Sequence, residues 1–207
     1  MTRMGTASII REQLYKAREY KSILDEHLSA NDIEPPEYDL KCEALLPLLR
    51  RDIKAHFHAH RADDIFTAIR IAKEFSLDYV IVHATDSESV VDILAKEGVE
   101  VLCGPILCDR SKPELKALTP KTPAALQRNG VKMALITDHP VIPIQYLPLC
   151  AGLSVRDGMS YFEALKAITI NAAEICGIDS VVGSLEEGKD ADMVLFSGDP
   201  LSVYAKP

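Results

Sequence analysis

Six histidines mark this sequence, and five of them, His56, His58, His60, His83 and His139, fall in or just past short apolar runs that read as β-strands. In Ala55-His-Phe-His-Ala-His60 the two-residue period of a strand puts His56, His58 and His60 on one side. Imidazole binds zinc, iron or nickel and needs little beyond orientation. An H-x-H run alone also occurs as a hydrogen-bonded histidine pair, so a second strand has to decide. That strand runs Val80-Ile-Val and then presents His83, Thr85 and Asp86. By itself such a histidine reads as a satisfied core residue; beside the first strand it could meet His58. A third apolar run, Met133-Ala-Leu-Ile-Thr, ends in Asp138. A carboxylate leaving so apolar a strand has to be hydrogen-bonded, paired or metal-bound, because an unpaired buried charge is costly. The plainer alternative is a turn or cap residue ahead of Pro140. Two imidazoles and one carboxylate make an incomplete site for a catalytic metal, of the kind that brings the pKa of water down to ~7. Asp138 would then take the proton and pass it to a leaving nitrogen.

The elements that must position these residues alternate in type. A leading helix carries Ile9, Ile10, Leu14, Ala17, Leu24 and Leu28 at helical spacing, and Pro35-Pro36 closes it. Strands follow at 53–59, 79–83, 99–103 and 132–137. Between them come a helix whose Ile65, Ile69, Ala72 and Phe75 share a face, a helix at 89–96, and one capped by Thr122 with Pro123 in its first turn and Asn129-Gly130 at its end. Ser160-Tyr-Phe-Glu163 reads as a capping box, and a short helix at 171–176 stops at Gly177. This alternation implies βα units and a parallel sheet, whose functional side chains gather where the strands end. The segment 192–196 reads as an isolated strand that must pair outside the series.

Composition narrows the partners. With 47% hydrophobic and 26% charged residues among 207, the chain is globular in type. A formal charge of −8 leaves no basic footprint for nucleic acid or an anionic membrane surface. The five cysteines (Cys42, Cys103, Cys108, Cys150 and Cys176) are odd in number and scattered, which argues against a disulfide framework or a zinc knuckle and for a reducing, cytoplasmic compartment. No apolar run approaches the ~18 residues of a membrane span, and no Gly-rich phosphate loop occurs.

The runs His58-Ala-His-Arg-Ala-Asp-Asp-Ile65, Ile81-Val-His83, Ile136-Thr-Asp-His-Pro140 and Gly183-Ser-Leu-Glu-Glu-Gly-Lys-Asp-Ala-Asp-Met-Val-Leu-Phe196 resemble, in order, the imidazolonepropionase-like and prolidase-like branch of the metal-dependent amidohydrolase superfamily. The resemblance implies an α/β chain: the C-terminal half of a (β/α)8 barrel, strands five to eight with a leading helix over 1–178, then a piece of a small β-sandwich over 179–207. It implies His58 and His83 as fifth- and sixth-strand metal ligands and Asp138 as eighth-strand ligand and general base. His60 is the alternative to His58, and His60, Arg61, His139 and the Gly104-Pro105 turn would line the substrate pocket. The cofactor implied is a divalent metal, zinc first and iron or another transition metal next. The reaction implied is hydrolysis of a cyclic amide, an N-acyl amino acid or a dipeptide-like C–N bond.

Such enzymes also carry a first-strand H-x-H pair, and no strand ahead of residue 53 supplies it here. Four strands against the eight of a ~250-residue barrel read as half a barrel. The isolated chain is then expected to be weak or inactive. Its open edges, 53–58 and 132–137, favour a homo-oligomer or a separate chain bringing the first half. One alternative is a non-catalytic half barrel or structural partner with vestigial ligands. Another, an unrelated doubly wound binding module, leaves 183–196 unexplained.

Overall fold

The computed structural model describes residues 2–30 and 34–207. In chain order its elements are α1 (Arg3–Ser29), α2 (Leu40–Arg50), β1 (Ala55–Ala59), α3 (Ala62–Glu74), β2 (Tyr79–His83), α4 (Val91–Lys96) behind a 3-10 turn, β3 (Glu100–Cys103), α5 (Thr122–Arg128), β4 (Met133–Leu135), α6 (Leu147–Arg156), α7 (Tyr161–Ala167) and α8 (Ile170–Cys176). The chain divides into two compact units, Met1–His56 with Phe66–Tyr79, and Phe57–Ile65 with Val80–Pro207.

The first unit is led by two helices where the sequence suggests one. The Thr2 hydroxyl accepts from the Gly5 N–H at 3.1 Å to open α1. The Asp39 carboxylate accepts from Lys41 and Cys42 to open α2, the standard remedy for orphaned amides at a helix start. The two helices bury Ala17, Tyr20, Cys42 and Leu46 between them, with Leu24, Leu45 and Leu49 around the edge. Within the same unit Arg11 and Tyr15 of α1 both bind the Glu74 carboxylate, at 2.6 and 2.7 Å.

The four strands form one sheet in the order β1-β2-β3-β4, parallel from β2 to β3 and from β3 to β4. Val80 and Ile81, successive residues on opposite faces, are both fully buried, as expected of a parallel strand covered on both sides. Register pairs His83 with Cys103 and Cys103 with Leu135, so the strand ends stand level. On the α8 side, Ile175 packs on Val80 and Ala134, and the Asn171 amide donates to the Met133 carbonyl at 2.9 Å. Among the described residues, no helix is long and apolar enough to cross a membrane.

Several local expectations are corrected. The first strand begins at Ala55 rather than 53, where Ile53 is exposed. The last regular strand is three residues long, although the Ile136 N–H still bonds the Cys103 carbonyl at 2.9 Å. Helix α6, unannounced between Pro140 and Ser160, is built on Leu147 and Pro148. The Ser160 side chain makes no capping bond, and Glu163 turns instead to Lys166 at 2.7 Å. The Thr122 hydroxyl is buried and has no hydrogen-bond partner among the described residues, rather than capping α5. Residues 192–196 form no strand; Met193, Val194 and Leu195 are exposed. A strand is a pairing relation, and no ladder partner for this segment is present among the described residues.

Replacing Ile175, wholly buried against the sheet, tests the α8 packing. Ile175→Ala is expected to lower unfolding free energy by about 2–5 kcal/mol in urea titrations; a loss under about 0.5 kcal/mol, the range of surface changes, would show that the contact carries little.

Candidate metal centre

The imidazoles of His58, His60 and His83 form a group whose coordinating atoms all lie within 4.8 Å of one another. His58 points from β1, His60 lies one residue past its end, and His83 closes β2. His56 shares the strand face but takes no part in the group: two residues back along a strand is about 6.6 Å, and the group sits at the strand's end. The ring centroids are 4.2 to 4.9 Å apart, with His60 and His83 stacked. His60 and His83 are buried, and His58 is exposed, so the group opens to solvent along its His58 edge.

Hydrogen bonds decide which nitrogen of each ring is available. His83 Nδ1 lies 2.6 Å from the Gly104 carbonyl oxygen. A carbonyl only accepts, so Nδ1 carries the proton and the Nε2 lone pair is free to bind a cation. His60 Nδ1 lies 2.8 Å from the Thr85 hydroxyl, a partner that both donates and accepts. The His58 and His60 Nε2 atoms are 3.1 Å apart. A proton or a cation has to sit between nitrogens so close, because facing lone pairs repel. Two nitrogens on one tetrahedral zinc, bound at about 2.0–2.1 Å, lie about 3.3 Å apart, so the donor set and its spacing fit a divalent ion.

The backbone reaches this arrangement through unusual conformations. His83 and Ala84 have φ of 75° and 48° and Asp138 has 53°, left-handed values that cost residues with a Cβ on the order of 1–3 kcal/mol each. The turn after β2 is held by the Ala84 N–H on the Ala59 carbonyl at 3.0 Å and the Asp86 N–H on the His60 carbonyl at 2.8 Å. Gly104, at φ 141°, has no room for a side chain: a Cβ would stand 2.1 Å from the Ile136 carbonyl oxygen.

Charge completes the picture. His58 is held below its ordinary pKa by partial desolvation, then by the charges of His83 and Lys112, with Asp138 opposing. His60 is pushed down to about 4, mostly by burial, then by His83, Lys112 and His58, with Glu114 opposing. Both rings are therefore neutral near pH 7, the form in which imidazole binds metal.

The amidohydrolase family model matches residues 8–206. The chain belongs to this family. It is 29% identical over 173 residues to amidohydrolase tasK of Hapsidospora irregularis, covering 82% of this chain and 18% of that protein. It is 48% identical over 71 residues to the imidazolonepropionase of Geobacillus kaustophilus, 33% of this chain and 17% of that protein. A solved amidohydrolase from Thermotoga maritima superposes with a TM-score of 0.92 at 43% identity, over 99% of this chain and 53% of that one. A zinc-bound adenosine deaminase from Xanthomonas campestris, 24% identical with a TM-score of 0.53 over 72% of this chain and 38% of that one, shares the fold. The matched segments thus cover about half of the Thermotoga family member and under a fifth of each of the two curated ones.

The residues singled out from sequence fall into different places. His58 and His83 come together, and His60, expected as an alternative ligand or pocket residue, joins them. Asp138 is exposed and stands outside the close group, though its charge acts on His58. Arg61 is tied to the Asp63 carboxylate by two bonds of 2.9 and 3.1 Å. Gly104 holds His83 through its carbonyl, and His139 is exposed. Of the residues past the ends of β2 and β3, the sequence pointed to Gly104 but gave Thr85 no role, although its position just past a strand end was the available signal.

Two outcomes follow. Gly104→Ala is expected to displace His83, visible as loss of the Nδ1-protonated tautomer in nitrogen NMR; an unchanged tautomer would show that the glycine is dispensable. Unfolded histidine titrates near 6.5 and folded His60 near about 4, so the native state resists the proton. The contribution to stability is complete above about pH 6.5 and is lost as pH falls towards 4. In chelator-treated protein, His60→Asn should flatten that decline; identical slopes in both chains would remove His60 as its source.

Proposed function

We propose that this chain is the metal-bearing C-terminal half of an amidohydrolase that cleaves C–N bonds of a cyclic amide, an N-acyl amino acid or a dipeptide. The observation carrying this reading is the trio of imidazoles at the strand ends, with the His83 Nε2 lone pair freed by the Gly104 carbonyl. In this reading 1–178 are strands five to eight of a (β/α)8 barrel with its leading helices, and 179–207 begin a small β domain. Support comes from the near-complete overlap with about half of the Thermotoga chain and from the apolar side chains of 192–196 left exposed for a partner. The remaining strands of the barrel would then close on β1 and β4. Five free cysteines accord with a cytoplasmic setting.

His58, His60 and His83 would hold a divalent ion, zinc first, with Asp138 beside them. When bound, the ion supplies Lewis-acid chemistry, polarising a carbonyl and acidifying water. The protein's own part is positional and acid–base. Gly104 and Thr85 fix the rings of His83 and His60 through the nitrogens that face away from the ion. Asp138, solvent-exposed and carrying a charge felt by His58, accepts the proton of the attacking water and returns it to the leaving nitrogen as the C–N bond breaks.

Protein purified without an affinity tag should contain or take up about one divalent transition metal per chain, and His83→Ala or His58→Ala should lose it. Hydrolysis of N-acyl amino acids by this chain alone should fall well below ~10 per second, with Asp138→Asn lower again by about 10²- to 10⁴-fold. A chain that takes up no metal in any condition would leave only the structural-partner reading.

A further inference from the structure

His60 lies one residue past the end of β1, beyond the regular strand, so contacts other than the sheet ladder have to set its place. Two residues that follow β2 do so. The Thr85 hydroxyl meets His60 Nδ1 at 2.8 Å, and the Asp86 N–H donates to the His60 carbonyl at 2.8 Å.

The Asp86 side chain extends that hold. Asp86 precedes a 3-10 turn (Ser87–Val90), a position from which an aspartate ordinarily caps its own helix, yet its carboxylate makes no such bond. Oδ2 instead accepts from the Ala62 N–H at 3.3 Å. Ala62 is the first residue of α3, and the Ile65 N–H on the Arg61 carbonyl at 2.9 Å makes Arg61 the cap position. An arginine side chain has no acceptor with which to cap, and this one is paired with Asp63. The Ala62 amide, which α3 itself cannot satisfy, is served across the strand ends by Asp86. Ser89 orients Asp86 for this: its hydroxyl donates to the Asp86 carbonyl at 2.8 Å and lies 3.3 Å from Oδ1. One residue therefore grips the segment His60-Arg61-Ala62 at both ends, from the turn that also carries His83 and Thr85.

We infer that Asp86 is a positioning residue of the metal centre: its N–H and its carboxylate together clasp 60–62 and hold the His60 ring in place against His83. It acts through His60, and its carboxylate serves as a hydrogen-bond acceptor. The inference rests on the metal-binding reading for its consequence, but not for the clasp itself.

The test removes each side of the clasp in the full chain. Asp86→Ala deletes the acceptor. Ala62→Pro deletes the donor while suiting the first position of a helix, and it decides the matter should Asp86→Ala not fold. In chelator-treated protein both variants should shift the His60 ring signals in nitrogen NMR. In zinc titrations against a chromophoric chelator both should bind about 10- to 100-fold more weakly, as loss of the groups that orient a ligand does. Asp86→Asn, which keeps an acceptor, should stay close to native in both measurements. Ile175→Ala, which weakens the packing of α8, should change neither, so a general loss of stability is told apart from loss of the clasp. A native chain that takes up no zinc counts against the metal reading, while the metal-free ring signals still decide the clasp. The inference is overturned if, in either Asp86→Ala or Ala62→Pro, the His60 signals or the affinity of a zinc-binding chain stay native, or if Asp86→Asn is as impaired as Asp86→Ala.

Discussion

The hydrogen bond from His83 Nδ1 to the Gly104 carbonyl joins the end of β2 to the end of β3, and most of what is notable here depends on it. It exists only because the two strands are parallel and level, with His83 opposite Cys103. It also requires glycine at 104, since the Ile136 carbonyl occupies the space of a Cβ. Its chemical consequence is to choose a tautomer. The ring nitrogen that faces His58 and His60 is left with a lone pair, which turns three neighbouring imidazoles into a donor set.

The core underneath sets that register. Val80, Ala134 and Ile175 pack as one cluster, with Leu102 and Ala172 alongside, and a shift of one residue would turn every buried side chain to the opposite face. The apolar packing thus sustains a strained turn: two consecutive left-handed residues at His83 and Ala84, held by backbone bonds to Ala59 and His60. Strain of this kind persists where the surroundings over-determine the backbone. Burial also holds His58 and His60 below the ordinary imidazole range, because a cation there is short of water to screen it.

Helix ends were less legible. Asp39 caps α2 through its carboxylate, yet Ser160 and Thr122, of equally suitable type, do not cap their helices. A short polar side chain has several partners within reach, and packing decides among them. Glu163 binds Lys166, while Thr122 is enclosed against neighbouring elements. The segment 192–196 shows the same limit from another direction: its residues suit a strand, but a strand requires another one.

The sequence by itself determined the βα alternation, the parallel sheet, family membership, and the face of β1 that carries His56, His58 and His60, because hydrophobic period and motif order are local properties. It also placed His83 at a strand end. Only the tertiary structure decided that His60 joins the cluster while His56 does not, that Arg61 is spent on Asp63, and that Gly104 serves His83 through its carbonyl. Those outcomes depend on distances between strand ends and on which neighbours reach a side chain first. Both are set by non-local packing, which the spacing of residues along one chain does not encode residue by residue.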